Sequence, residues 1–149
     1  MAVEVLLLGH SERGGFKKEN GKEGLREFLK KEYHTNADGT YLLKRNYGIP
    51  LDSLVLFEME GSIVGCAVVC EGSRDITGKE RSEYVAEGDW KAIMRIDPAT
   101  LWVWPNNQDV RLKEVGITFL PGPPIKLNAT QTLKVFKSLL EQHTGKKSK

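Results

Sequence analysis

The stretch LVLFEMEGSIVGCAVVCE, Leu54–Glu71, decides how this chain reads. Two short apolar runs, Leu54–Met59 and Ser62–Cys70, are separated only by Glu60-Gly61. Val, Ile and Phe dominate them, and a two-residue connection ending in glycine is a strong local hairpin signal. Gly61 supplies the positive φ that such a turn requires at little steric cost. Both runs are apolar at nearly every position, so neither face alternates with water. The hairpin is therefore expected to be covered on both sides, as in a small closed barrel. Gly65 has no side chain to pack and marks a bend or the close approach of another backbone.

Upstream, Val3–Gly9 (VEVLLLG) reads as a first buried strand that leaves through His10-Ser11-Glu12 into a glycine-containing loop. Lys22–Tyr33 sets Leu25, Phe28, Leu29 and Tyr33 at helical spacing among Lys and Glu, the pattern of an amphipathic helix. His34–Gly39 ends it with turn formers, and Thr40–Asp52 is a connector. Downstream, Gly72–Glu83 lacks periodicity and reads as an exposed loop. Trp90–Ile96 and Thr100–Trp104 flank Asp97-Pro98-Ala99 and predict a second hairpin. Alternation puts Trp102 and Trp104 on one of its faces, Leu101 and Val103 on the other. Val110–Val115 reads as a helical turn or an extended piece, and Ile117–Leu120 as a last strand. Asn128, with Gln131 three positions later, comes close to a capping box; the helix it opens runs to Gln142 and carries Leu133, Phe136 and Leu140 on one face.

This order of elements predicts an α+β domain, a small curved or closed β-barrel with helices packed outside, over residues 1–144, followed by a basic tail or linker at 145–149. The 149 residues suit one compact domain, and the 40% apolar content agrees. With 22 basic and 20 acidic residues the net charge of +2 names no partner. The basic residues are clustered, however, at Arg13–Lys22, Lys44-Arg45, Arg74–Arg81 and Lys146–Lys149, which permits a phosphate-binding face. Cys66 and Cys70 fall on one face of a strand, too far apart for a disulfide; they read as reduced, buried small hydrophobes, which points to an intracellular, cytoplasmic setting. No signal peptide and no apolar stretch of membrane-spanning length is evident, so a soluble protein without a membrane partner is expected.

Catalytic chemistry finds little support. His10, His34 and His143 have no partners at metal-ligand spacing. No G-x-S-x-G, phosphate-loop or dinucleotide fingerprint occurs. We expect no metal, no cofactor and no catalytic residue. Asp89-Trp90-Lys91 is similar to the acidic-x-Lys end of a nuclease site, which keeps a small metal-dependent nuclease as an alternative. The aromatics point elsewhere. Tyr41, Tyr47, Tyr84, Trp90, Trp102 and Trp104 stand near loops and basic residues, where rings stack on bases and cations hold phosphates. Trp102 and Trp104, on a strand, read first as core.

Several short matches, in order, resemble one family. Val5–Glu12 (VLLLGHSE) is similar to the first strand and Ser-Glu exit of YTH domains. Lys44-Arg45-Asn46 is similar to the basic-Asn stretch ahead of the EVE hairpin, VLFEMEGSIVGCAVV to that hairpin, and Met94–Asp97 (MRID) to the next strand. Together they cover Val3 to Trp104. The chain thus resembles a PUA-like domain of the EVE/YTH kind, whose members bind nucleic acid and flip a modified base into an aromatic cage. The resemblance implies cage walls from Tyr41 or Tyr47 and from Tyr84 or Trp90, with His10 and Ser11 at the pocket edge hydrogen-bonding the base. Phosphates would be met by Arg13, Lys17, Lys18, Lys44, Arg45, Arg74, Lys79 and Arg81. It implies a reader of a modified base in duplex DNA, the specificity module of a modification-dependent restriction system, partnered by a nuclease or motor domain or subunit. An RNA-binding PUA-like module is the alternative.

Overall fold

The computed structural model describes residues 4–10, 25–27, 29–30, 39–80, 90–105, 108–118 and 124–144. Among these residues eight strands form one mixed sheet: β1 (Val5–His10), β2 (Thr40–Leu43), β3 (Leu54–Met59), β4 (Ser62–Asp75), β5 (Ala92–Ile96), β6 (Trp102–Val103), β7 (Val110–Arg111) and β8 (Ile125–Leu127). The strand order is β2-β5-β4-β3-β1-β8, with β6 and β7 also paired to β4. β1 lies parallel to β3, and the other pairings are antiparallel. A helix, Ala129–Thr144, follows β8. Residues 25–27 and 29–30 are helical, as the spacing predicts; Leu25 and Leu29 are fully buried, while Phe28 and Tyr33 lie outside the described residues.

The hairpin forms as its sequence dictates. Glu60 and Gly61 both take positive φ, 54° and 79°, the geometry of a turn whose twist matches its strands. Each face of the β3–β4 pair then enters a different core. Val55, Phe57, Met59 and Val64 pack in the first cluster; Leu56 and Ile63 pack in the second, under Val135 and Leu139 of the C-terminal helix. At Gly65 the register slips, Phe57 facing Gly65 and Glu58 facing Ile63. The bulge inverts the alternation, so that Cys66 joins the second cluster and Ala67 the first. A Cβ at Gly65 would stand 2.7 Å from the Trp102 carbonyl oxygen, so the glycine is where β6 comes close.

The sheet coils but does not close. Tyr41 of β2 meets Phe57 of β3 with ring centroids 5.9 Å apart, although two strands separate them in the sheet. The first cluster fills the space between these facing parts. Among the described residues no pairing joins β2 to β8, so the closed barrel is corrected to an open, coiled sheet: its two end strands are only four and three residues long.

Tertiary pairing corrects other local expectations. β4 does not stop at Cys70 but runs to Asp75, because β5 pairs with it through Arg74↔Ile93 and Asp75↔Ala92. The second hairpin is not one: β5 and β6 lie end to end along the same edge of β4, joined by a 3₁₀ turn at Pro98–Thr100 capped by Asp97. Trp102 is exposed and Trp104 fully buried, their rings meeting edge to face at 5.9 Å. Val110–Val115 combines both readings, a strand of two residues and a 3₁₀ turn. Ile117 is not in a strand; the last strand is β8, and residues 119–120 lie outside the described set, as does the tail. The Asn128 capping box forms, the Gln131 N–H donating to Asn128 Oδ1 at 2.8 Å and the Asn128 N–H to Gln131 Oε1 at 2.9 Å. The helix it opens turns Val135 and Leu139 inward and leaves Leu133 and Leu140 exposed, so that of the expected face only Phe136 packs against the second cluster. Cys66 is buried, which pushes its thiol up to about 11, whereas Cys70 is exposed because the cover over that side of β4 has ended. Arg26 is a buried cation that the sequence did not announce: it pairs with Asp109 and donates through Nε to the Trp104 carbonyl at 3.1 Å.

Candidate nucleic-acid interface

The polar half of β4 gathers three chain segments at one end of the sheet. In register, Leu43 of β2 faces Ala92 of β5, and Ala92 faces Asp75 of β4. The Lys91 N–H donates to the Leu43 carbonyl at 3.0 Å, and the Ile76 N–H to the Lys91 carbonyl at 3.0 Å. The chain leaving β2, the chain entering β5 and the chain leaving β4 therefore lie side by side. Lys44 and Trp90 are the first residues beyond the paired ends, and the Lys44 ammonium sits 4.2 Å from the centre of the Trp90 ring. Such a contact contributes about 0.5–1 kcal/mol at an exposed site and fixes the ring's attitude. Arg45 on the chain leaving β2, Lys91 on the chain entering β5 and Lys79 on the chain leaving β4 are exposed, and Trp90 itself is half-buried.

From Asn46 the connector turns back along the other edge of β4. The Ser73 N–H donates to the Ile49 carbonyl at 2.8 Å, and the Asp52 N–H to the Val69 carbonyl at 2.8 Å. Side chains lace the same seam. The Ile49 N–H donates to Ser73 Oγ at 2.7 Å, Ser73 Oγ donates to Asn46 Oδ1 at 2.8 Å, and the Gly48 N–H donates to Asn46 Oδ1 at 3.0 Å. Beyond β4, Arg74 makes a two-pronged pair with Glu80, both contacts 2.7 Å, and this holds the Glu80 carboxyl down at about 2. Thr77 and Glu80 cap that turn reciprocally, at 3.0 and 3.2 Å.

The expected site residues divide. Lys44 and Trp90 meet at this end, and Arg45, Arg74 and Lys79 lie on the segments that end there, though Arg74 is already matched by Glu80. Tyr47 is half-buried against the first core cluster. Tyr41 is not on a connector loop: it lies on the inward side of β2, 9% exposed, and burial drives its phenol far above the usual range. Its ring is committed to Phe57. His10 pairs through its backbone with Met59, beside the hairpin turn, which in strand register is the opposite end of β4 from Lys44 and Trp90. Ser11, Arg13, Lys17, Lys18, Arg81, Tyr84 and Asp89 lie outside the described residues.

Two residues escaped the sequence reading. Asn46 was visible only as part of a basic motif, although its spacing to Gly48 is that of a side-chain-capped turn. Glu58 is buried in an otherwise apolar strand; desolvation raises its carboxyl to about 7, against a hydrogen bond from the Gly61 N–H that lowers it. Among the described residues no group of three His, Cys, Asp or Glu could hold a metal, and no helix is long and apolar enough to cross a membrane.

No family model and no curated protein matches the chain by sequence. Its structure does match a solved one: the YTH domain of the Zygosaccharomyces rouxii MRB1 protein, in complex with N6-methyladenosine RNA, at a TM-score of 0.50 and 14% identity, over 98% of this chain and 90% of that one. The fold is that of a YTH domain. Within it, the long β4 serves both the doubly covered hairpin and the polar end.

Proposed function

We propose that this protein is a nucleic-acid-binding reader that takes a modified base against the Trp90 ring and has no catalytic step of its own. The observation that carries the reading is the Trp90 ring steadied by Lys44 at a basic sheet end, on a YTH-like fold. A ring so held offers a stacking platform, and Lys44, Arg45 and Lys79 offer cations to the phosphates on either side. Flipping a base out costs a few kcal/mol of unstacking, which stacking on aromatics offsets at roughly 1–3 kcal/mol per base. A buried methyl adds about 0.8 kcal/mol, so discrimination rests on pocket shape more than on burial. Tyr84 remains the proposed companion of Trp90, and Arg13, Lys17, Lys18 and Arg81 further phosphate contacts; His10, whose backbone lies at the opposite end of β4, is not placed beside this ring. The solved neighbour's ligand makes a single RNA strand containing N6-methyladenosine the first to try. A modified base in duplex DNA, read for a restriction system, is the second reading, supported by the sequence resemblance.

The test is fluorescence anisotropy with RNA strands and DNA duplexes, each unmodified, methyladenine-containing or methylcytosine-containing, at two salt concentrations. One modified ligand should bind tightest, and Trp90→Ala should lose about 5- to 100-fold on it, the worth of one stacked base. Equal binding to every modification state would remove the reader and leave a general nucleic-acid module. No binding to any would remove both.

A further inference from the structure

The seam beside Trp90 contains an amide whose orientation is fixed by chemistry. Asn46 Oδ1 accepts from the Gly48 N–H at 3.0 Å and from Ser73 Oγ at 2.8 Å. A backbone N–H can only donate, so the atom that meets Gly48 is the carbonyl oxygen and not the amide nitrogen. The Ser73 hydroxyl accepts the Ile49 N–H at 2.7 Å, which leaves its own proton to go to Asn46. The direction of the whole relay, from Ile49 through Ser73 to Asn46, is thereby set. Both lone pairs of the Asn46 oxygen are used inward, and the NH₂ end points outward. The residue is exposed, and among the described residues no acceptor meets that NH₂.

We propose that Asn46 is a donor-only contact to a non-bridging phosphate oxygen of the strand whose base lies on Trp90. This rests on the reading above and extends it. An asparagine that reads adenine uses its oxygen and its nitrogen together, on N6–H and N7. Asn46 has no oxygen to spare, so it does not take part in base readout of that kind. What remains is donation to an acceptor. Its place on an exposed turn, directly after Lys44 and Arg45, is where a strand's phosphates run, and contacts of this sort fix register without carrying sequence. Ser73, on the polar half of β4, is then the positioning residue that keeps the amide turned outward.

The experiment is Asn46→Asp. Aspartate keeps an acceptor for Gly48 and Ser73, so the turn and the melting temperature should be preserved. The outward group changes from donor to acceptor. On the best ligand of the wild-type protein, affinity should fall about tenfold or more, and the loss should persist at high salt, where a mere extra charge is screened. A methylphosphonate scan of that ligand should show one position that weakens the wild type and leaves Asn46→Asp unaffected. Ser73→Ala should give a smaller loss at the same position. If Asn46→Asp matches the wild type at high salt and shares its methylphosphonate profile, the contact is refuted while the reader stands. If the wild type binds no strand at all, the reader itself is refuted and the contact with it.

Discussion

From Ser62 to Ala67, β4 is buried at every position, its side chains entering two cores in turn; from Cys70 to Asp75 the same strand is wholly or half exposed. The first half is held by packing, the second by its backbone. In the first, a bulge at Gly65 inverts the alternation and so sends Cys66 to the second core and Ala67 to the first, while β6 presses on the other edge. In the second, hydrogen bonds from β5 on one side and the Asn46–Ser53 connector on the other keep a polar sequence extended. Burial on both faces leaves nothing for a ligand to touch. A strand held by its backbone can spend its side chains on orientation and charge, and the candidate interface lies there.

Glycine substitutions break this comparison most directly. At Gly65 an added methyl would collide with the Trp102 carbonyl at 2.7 Å, and both partners are backbone. Gly65→Ala should cost about 2–3 kcal/mol by urea denaturation, the upper part of the usual range for overpacking, because backbone meets backbone. At Gly78, on the helical turn beyond β4, a methyl would meet nothing within 4 Å. Gly78→Ala should be neutral or stabilising by up to about 1 kcal/mol, since it narrows the unfolded ensemble. Equal costs at the two sites would mean that the close approach of β6 at Gly65 does not set the buried half of β4 apart from the open turn beyond its polar end.

A second probe is Glu58, the carboxyl on the doubly buried side. Its folded pKa of about 7 lies above the ordinary 4.5, with desolvation the main cause. The folded protein therefore holds this proton where the unfolded chain has released it. Stability from this group is greatest below the unfolded value and falls as pH rises through about 7. Glu58→Gln, neutral throughout, should lose that slope. It should match the wild type near pH 4 and exceed it by about 1–2 kcal/mol at pH 8. A wild type whose stability does not fall over this window would show that the carboxyl is better solvated than its surroundings imply.

The hairpin and the capping box were legible because their causes are local: Glu60-Gly61 between two apolar runs, and Asn128 three residues before Gln131. β2 and β8 were not, because four and three residues carry no period of their own and exist by pairing with Met94 and Leu6 and their neighbours. The C-terminal helix read with Leu133, Phe136 and Leu140 on its apolar face, whereas the second core takes Val135 and Leu139 and keeps only Phe136 of that face. Nothing near Arg26 in the sequence announces its burial, because Asp109 stands 83 positions away. At the interface, Lys44 and Arg45 were visible as a basic pair and Trp90 as an aromatic near a loop. Their meeting depends on the register Leu43↔Ala92, which no local pattern reveals. Tyr41 misled for the same reason, since a polar-looking connector hid a strand that turned its ring inward.

The smallest expected effect concerns which cations at the polar end are free to act. Arg74 stands among them, yet its guanidinium is gripped by both oxygens of Glu80. That carboxyl is held down at about 2, first by Arg74 and then by the Thr77 N–H, so the pair does not loosen anywhere between pH 5 and pH 8. Glu80→Gln removes the charge but keeps the turn, because glutamine serves in a capping box as glutamate does. If the polar end lies against phosphates, the released Arg74 should join them. Affinity for any strand should rise about threefold at low salt, and the slope of log affinity against log salt should steepen by about 0.7–0.9. The modification preference should not move, because Arg74 carries no base contact. An unchanged affinity and slope would place Arg74 outside the footprint and draw the interface in to Lys44, Arg45 and Trp90. A fall in affinity would mean that Glu80 was holding Arg74 in its working position, and that the pair acts as one unit.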